Sequence, residues 1–85
     1  MIYSNQLRAA RALVGMSQAE LAKAAGLSVP TVKRAEGAGV LAASDHSISA
    51  LAQALEQAGV EFIEENGRGP GVRLKERTGD ATLGD

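Results

Sequence analysis

Two hydroxyls and two bases stand close together in the segment SVPTVKRAE: Ser28, Thr31, Lys33 and Arg34. An arginine presents a rigid fork of donors that fits a guanine edge or a phosphate, whereas a lysine is a mobile point charge suited to phosphate. Three other groupings invite a chemical reading. His46 lies among Ser44, Asp45 and Ser47, the residue types of a nucleophilic triad. A triad needs a fold to hold its members in mutual hydrogen-bond geometry, so His46 reads as a solvated or capping loop residue before a helix. Glu61, Glu64 and Glu65 cluster without the spacing of a calcium loop and read as a solvated strand edge that discourages aggregation. The run NGRGPG is rich in glycine but lacks the lysine and following hydroxyl residue of a phosphate-binding loop, so it reads as a turn. No catalytic residue, metal site or cofactor is expected.

Lys33 and Arg34 need a frame to hold them outward, and the surrounding segment SQAELAKAAGLSVPTVKRAE, Ser17 to Glu36, predicts one. Ala22 is small where two short helices must cross, and Gly26 can take positive φ at the end of the first of them. Ser17 with Glu20 forms a capping box, and Ser28 can cap the second helix. Pro30 falls in that helix's first turn, where its missing amide donor has no intrahelical partner to lose. Leu21, Ala25, Leu27, Val32 and Ala35 then face inward. Val29, Pro30, Thr31, Lys33 and Arg34 form the outer face, the one that would enter a major groove. A plain αα-hairpin with no nucleic-acid role is the competing reading.

From Gln6 to about Gly59 the chain resembles the helix-turn-helix of the phage repressor and Cro group, the xenobiotic-response-element (XRE) family. The resemblance implies that Arg11 pairs with Glu36 and that Gln18, which opens the first motif helix, touches a phosphate. The run ALEQAGVEFIEENGRGPGVRL is similar to a tail found on many small bacterial members. Two departures stand out. Recognition helices in the family often open with polar residues, whereas this one opens with Val29 and Pro30, which leaves apolar contact with a thymine methyl. Ala35 stands where the family packs something larger, so a thinner seam between helices 1 and 3 is expected.

The chain has 85 residues, enough for one domain with a modest core, so dimerisation is an expected further source of stability. It has no cysteine, hence no disulfide framework and no thiol chemistry. The start MIYSNQLRAA lacks the apolar core of a signal peptide, no run approaches membrane-spanning length, and a cytoplasmic setting is expected. The net charge is −1, but it is unevenly spread. Residues 1 to 40 hold Arg8, Arg11, Lys23, Lys33 and Arg34 against Glu20 and Glu36, a balance of +3. Residues 41 to 65 hold only acids: Asp45, Glu56, Glu61, Glu64 and Glu65. One face suits phosphates and the other end points elsewhere, and the excess is modest enough that pairing of two subunits is expected to support affinity.

The expected fold is mainly α, a compact repressor-like bundle of four to five helices followed by a C-terminal β-hairpin. Helix 1 is predicted from about Asn5 to Val14 with Gly15 as its stop. The stretch from Gly37 to His46 reads as a loop, with Val40 and Leu41 tucked into the core. Helix 4 is predicted from near Ser47 to Gly59, with Ile48, Leu51, Ala52 and Leu55 on its apolar stripe. Alternation in Val60–Glu64 and Gly71–Lys75 predicts the hairpin, which must lie on the helices or pair with a second copy, since two strands alone are barely stable. Domain boundaries follow at 1–59 for the DNA-binding unit, 60–76 for the hairpin and 77–85 for a tail expected to be disordered.

These features predict a DNA-binding transcriptional regulator, without enzymatic activity, acting as a homodimer on an operator. Val29, Pro30, Thr31 and Arg34 are the expected base-facing residues; Gln18, Ser28, Lys33 and, more weakly, Arg8 are the expected backbone contacts. Two rivals share the fold: a protein-interaction module such as an antiactivator that binds a transcription factor, and the antitoxin of a toxin–antitoxin pair.

Overall fold

Serines and a glutamine fix where the helices begin. In a computed structural model, which describes residues 2–37 and 42–75, α1 spans Ser4–Val14, α2 Gln18–Ala25, α3 Val29–Ala35 and α4 Asp45–Gln57, followed by strands β1 Val60–Ile63 and β2 Gly71–Leu74. Ser17 Oγ accepts from the Glu20 amide at 3.0 Å while Glu20 Oε1 accepts from the Ser17 amide at 2.8 Å, closing the expected box. Ser28 Oγ accepts from the Thr31 amide at 3.2 Å. Between the two helices Gly26 sits at φ 71°, a conformation that costs a residue with a Cβ dearly.

Helix 4 starts two residues earlier than predicted. Ser44, not a residue near Ser47, is its cap, with Ser44 Oγ accepting from the Ser47 amide at 3.1 Å. Asp45 then falls in the first turn, where its charge favours the exposed amide end of the helix. His46 is therefore an exposed residue of a helix's first turn and not a loop residue. Val40 and Leu41, expected in the core, and the tail from Arg77 to Asp85 lie outside the described residues.

The core collects one stripe from every helix. Leu7, Leu21, Val32, Leu51, Leu55 and Val60 are fully buried, each contributing roughly 1.5–3 kcal/mol relative to exposure. Ala10, Ala22 and Ala35 fill the narrow places between them. The hairpin continues this core. Its strands pair antiparallel, Val60 opposite Leu74 and Phe62 opposite Val72, and Val60, Phe62 and Val72 pack on the helical cluster. The ribbon lies on α1 and α4, which is how two strands that could not stand alone remain folded.

Gln6, buried in the wall of α1, fastens the hairpin's turn end. Its Nε2 donates to the Ile63 carbonyl at 3.2 Å and the Gly71 carbonyl at 3.0 Å, while its Oε1 accepts from the Tyr3 amide at 2.8 Å. One neutral side chain thus caps a helix and ties down both strands.

Candidate nucleic-acid interface

The outer face of α3 is built in three steps: a capped start, a buried seam and an anchored end. The start is the Ser28 cap with Pro30 in the first turn. Along the seam Val32 and Ala35 are buried. Val29, half-buried, also packs against the core, so part of its surface is turned away from the outer face. Pro30 and Lys33 are exposed, and Thr31 and Arg34 are half-exposed. Lys33 is displaced by about 100° around the helix from Arg34.

The end of α3 is held by a single carboxylate. Arg11 Nε donates to Glu36 Oε2 at 2.8 Å and its Nη2 to Oε1 at 3.1 Å, the two-point geometry that makes arginine–carboxylate pairs directional. The third arm of the guanidinium, Nη1, donates to the Met16 carbonyl at 3.1 Å. Arg11 therefore joins the α1–α2 connection to the tip of α3. Gln18 Nε2 adds a hydrogen bond to Glu36 Oε1 at 3.0 Å, and Arg8 Nη1 donates to the Glu36 backbone carbonyl. At Gly37, φ is 96° and an added Cβ would stand 3.3 Å from Arg8 Nη1, so glycine leaves room for this cap.

The Glu36 side chain is only 4% exposed. Burial pushes its carboxyl upward, but the hydrogen bonds from Arg11 and Gln18 and the charges of Arg11 and Arg8 together outweigh burial and hold it below its ordinary value of about 4.5. The hydrogen bond to Glu36 raises Arg11, against a smaller opposing effect of burial and with help from the carboxylate charge.

Of the residues singled out from sequence, Arg11 and Glu36 meet as the resemblance implied. Ser28, Thr31 and Arg34 come together on one side of α3: Ser28 Oγ and Thr31 Oγ1 are 2.8 Å apart and Arg34 Nη2 donates to Thr31 Oγ1 at 3.2 Å. Gln18 and Arg8, considered only as backbone contacts, also hold Glu36. Sequence reasoning missed these second roles and missed Gln6 entirely. The signal for Gln6 was its place beside Leu7 on the inward side of α1, three residues after Tyr3, where glutamine completes a cap.

The surface along α4 has a different character. A shallow groove of about 780 Å³ runs along α4, lined by Ile2, Ile48 and Ala52 and by the acids Asp45, Glu56 and Glu64. Among the described residues no group of acids and histidine is placed to hold a metal ion, and no helix is long and apolar enough to cross a membrane. Residues 7–62 match a family model described as Helix-turn-helix. No curated protein matches the chain.

Proposed function

The chain belongs to the XRE-type helix-turn-helix family of DNA-binding transcription regulators, and from that premise we propose that it acts in the cytoplasm as a homodimer that reads an operator through α3. The observation that carries this reading is the pair Lys33 and Arg34 on the outer side of a helix whose start is capped and whose end is fixed by Arg11 and Glu36. Arg34 and Thr31 face base edges, with Pro30 and the exposed part of Val29 offering apolar contact. Lys33 and Ser28 meet phosphates, and Gln18, already bonded to Glu36 through Nε2, presents its remaining groups to the backbone. One such helix reads too few bases for useful specificity, so two copies related by a two-fold axis would read half-sites about 10 base pairs apart.

Charge suggests which side meets the second copy. Facing α4 grooves would bring Asp45, Glu56 and Glu64 against their own duplicates, an unfavourable arrangement. Leu13 on α1 and Leu74 on β2, each 43% exposed, are apolar side chains that a partner could cover instead.

The test is selection of a binding site from random DNA, followed by anisotropy across a salt series. Arg34→Ala is expected to flatten preference at one position per half-site, where a two-point guanine contact is worth roughly 1–3 kcal/mol. Lys33→Ala is expected to weaken all sequences alike and to lower the salt slope by about 1. Sedimentation is expected to show a dimer. If no sequence is enriched and both variants keep full repression in cells, the surface is not a DNA reader and a protein-interaction role replaces it.

A further inference from the structure

The outer side of α3 carries a continuous chain of hydrogen bonds that ends on Arg34. Ser28, Thr31 and Arg34 are spaced three apart, so they stack on one side of the helix. The Arg34 guanidinium reaches back over Thr31, donating from Nη2 to Thr31 Oγ1 at 3.2 Å. The Thr31 hydroxyl lies 2.8 Å from Ser28 Oγ, which already accepts from the Thr31 amide at 3.2 Å. We propose that Thr31 is a positioning residue that sets the specificity of Arg34, holding its guanidinium in one orientation before DNA arrives. This rests on the reading of α3 as the base-reading helix.

Hydrogen-bond bookkeeping favours one polarity. A hydroxyl that accepts from a cation becomes a better donor, which favours donation from Thr31 onward to Ser28 Oγ, although either hydroxyl of this 2.8 Å contact can donate. In that polarity Ser28 Oγ accepts from both the Thr31 amide and the Thr31 hydroxyl, and in either polarity the Thr31 hydroxyl is held between Ser28 and Arg34. Arg34 has five N–H donors, one of them committed to Thr31, and those left suffice for a two-point contact with one guanine. A free arginine would have to give up rotamer freedom on binding. One already tethered has given up part of it in the free protein, and the advantage falls on the base that matches the tethered orientation. Val29 and Pro30 offer no such link, because neither side chain has a hydrogen-bonding group.

The experiment compares wild type, Thr31→Val, Thr31→Ser, Arg34→Ala and the double variant Thr31→Val/Arg34→Ala. Each is measured by anisotropy on the selected site and on the same site with the Arg34-dependent base pair changed. Thr31→Val keeps the branched shape and removes the hydroxyl; it is expected to lower discrimination at that base pair by roughly two- to tenfold, the range for immobilising one long side chain. Thr31→Ser, which keeps the hydroxyl, is expected to restore it. In the Arg34→Ala background, Thr31→Val is expected to change nothing further at that position. A loss at that base pair that persists without Arg34 would make Thr31 read the base itself, and equal weakening of all sequences would make it a backbone contact; either would overturn the proposal, as would a valine variant that discriminates like wild type. Loss of the DNA-reading premise itself looks different: Arg34→Ala then alters no base preference at all.

Discussion

The α2–α3 pair and the hairpin are attached to the molecule by opposite means. Within α2 and α3 the caps join residues three apart, Ser17 with Glu20 and Ser28 with Thr31, and the turn between them rests on Gly26. The hairpin, packed on α1 and α4, has its turn end latched by Gln6, which bonds to carbonyls 57 and 65 positions further along the chain. Local caps form wherever the helix forms, whereas a distant latch acts only once the whole bundle is assembled. Among the described residues, the distant side-chain hydrogen bonds that hold the end of α3 converge on Glu36, tied to Arg11 across 25 positions. The two regions should therefore respond differently to damage: losing the Glu36 anchor should cost global stability and the alignment of α3 together, while losing Gln6 should loosen the ribbon and leave α3 in place.

The largest effect is expected at that anchor. Arg11→Met leaves the buried Glu36 carboxylate with only Gln18 and the more distant Arg8 charge. Stranding one member of a buried pair costs about 3–5 kcal/mol, and the partial exposure of Arg11 places the expected loss near the lower end, a melting point lower by more than about 10 °C. Glu36→Ala is expected to cost less, since Arg11 can turn toward water and keep its bond to the Met16 carbonyl. Replacing both with apolar residues should also cost less than Arg11→Met alone. Acid adds a signature. Folding lowers the Glu36 carboxyl below about 4.5, so its contribution is present above that pH and is lost as pH falls through the lower folded value. In Arg11→Met burial acts with less opposition and raises the carboxyl, so the deficit against wild type should shrink below about pH 4.5. Melting curves from pH 3 to 7 check the sign; an Arg11→Met protein that melts with wild type would mean that Glu36 does not anchor α3.

A smaller, regional effect is expected for Gln6→Leu. The leucine fills similar space but leaves the carbonyls of Ile63 and Gly71 and the amide of Tyr3 without their partner, a cost of about 1–3 kcal/mol. Hydrogen exchange is expected to show faster exchange in β1 and β2 with α2 and α3 little changed. Uniform acceleration across all four helices would mean that the ribbon opens only together with the whole bundle and is not held separately by Gln6.

The same contrast explains what could be read from the chain. The α2–α3 pair was legible because its determinants lie within three or four residues of the atoms they satisfy: Ser17, Glu20, Gly26, Ser28 and Pro30 announce helix ends by themselves. The Arg11–Glu36 pair was legible only through family resemblance, since nothing near either residue points to the other. Helix 4 was started too late because Ser44 and Ser47 are both plausible caps, and the choice falls to Ser44 through its bond to the Ser47 amide and the place this gives Asp45. That the hairpin lies on the helices or on a second copy was legible from its two strands alone, but its latch, Gln6, was not. A neutral amide bonding to main-chain carbonyls leaves no complementary residue type for a reader of sequence to find. The Thr31–Arg34 contact was within reach, at a spacing of three on one helix, but the eye follows charge to its external target before asking what holds it.

The smallest effect is expected on the outer surface of the hairpin. Arg73 Nε lies 3.1 Å from Glu61 Oε1, directly across the ladder, and this hydrogen bond, aided by the arginine charge, lowers the Glu61 carboxyl. Both side chains are nevertheless largely in water, 46% and 64% exposed, where counterions screen the pair and ordering a long arginine offsets the attraction. Register does not depend on it either, because a slip by one residue would carry Val60, Phe62 and Val72 off the core. Glu61→Gln is therefore expected to melt with wild type at both low and high salt. If it instead loosens the ribbon as much as Gln6→Leu does, the hairpin is held by its own cross-strand pair, and the contrast between a locally capped α2–α3 pair and a remotely latched ribbon fails.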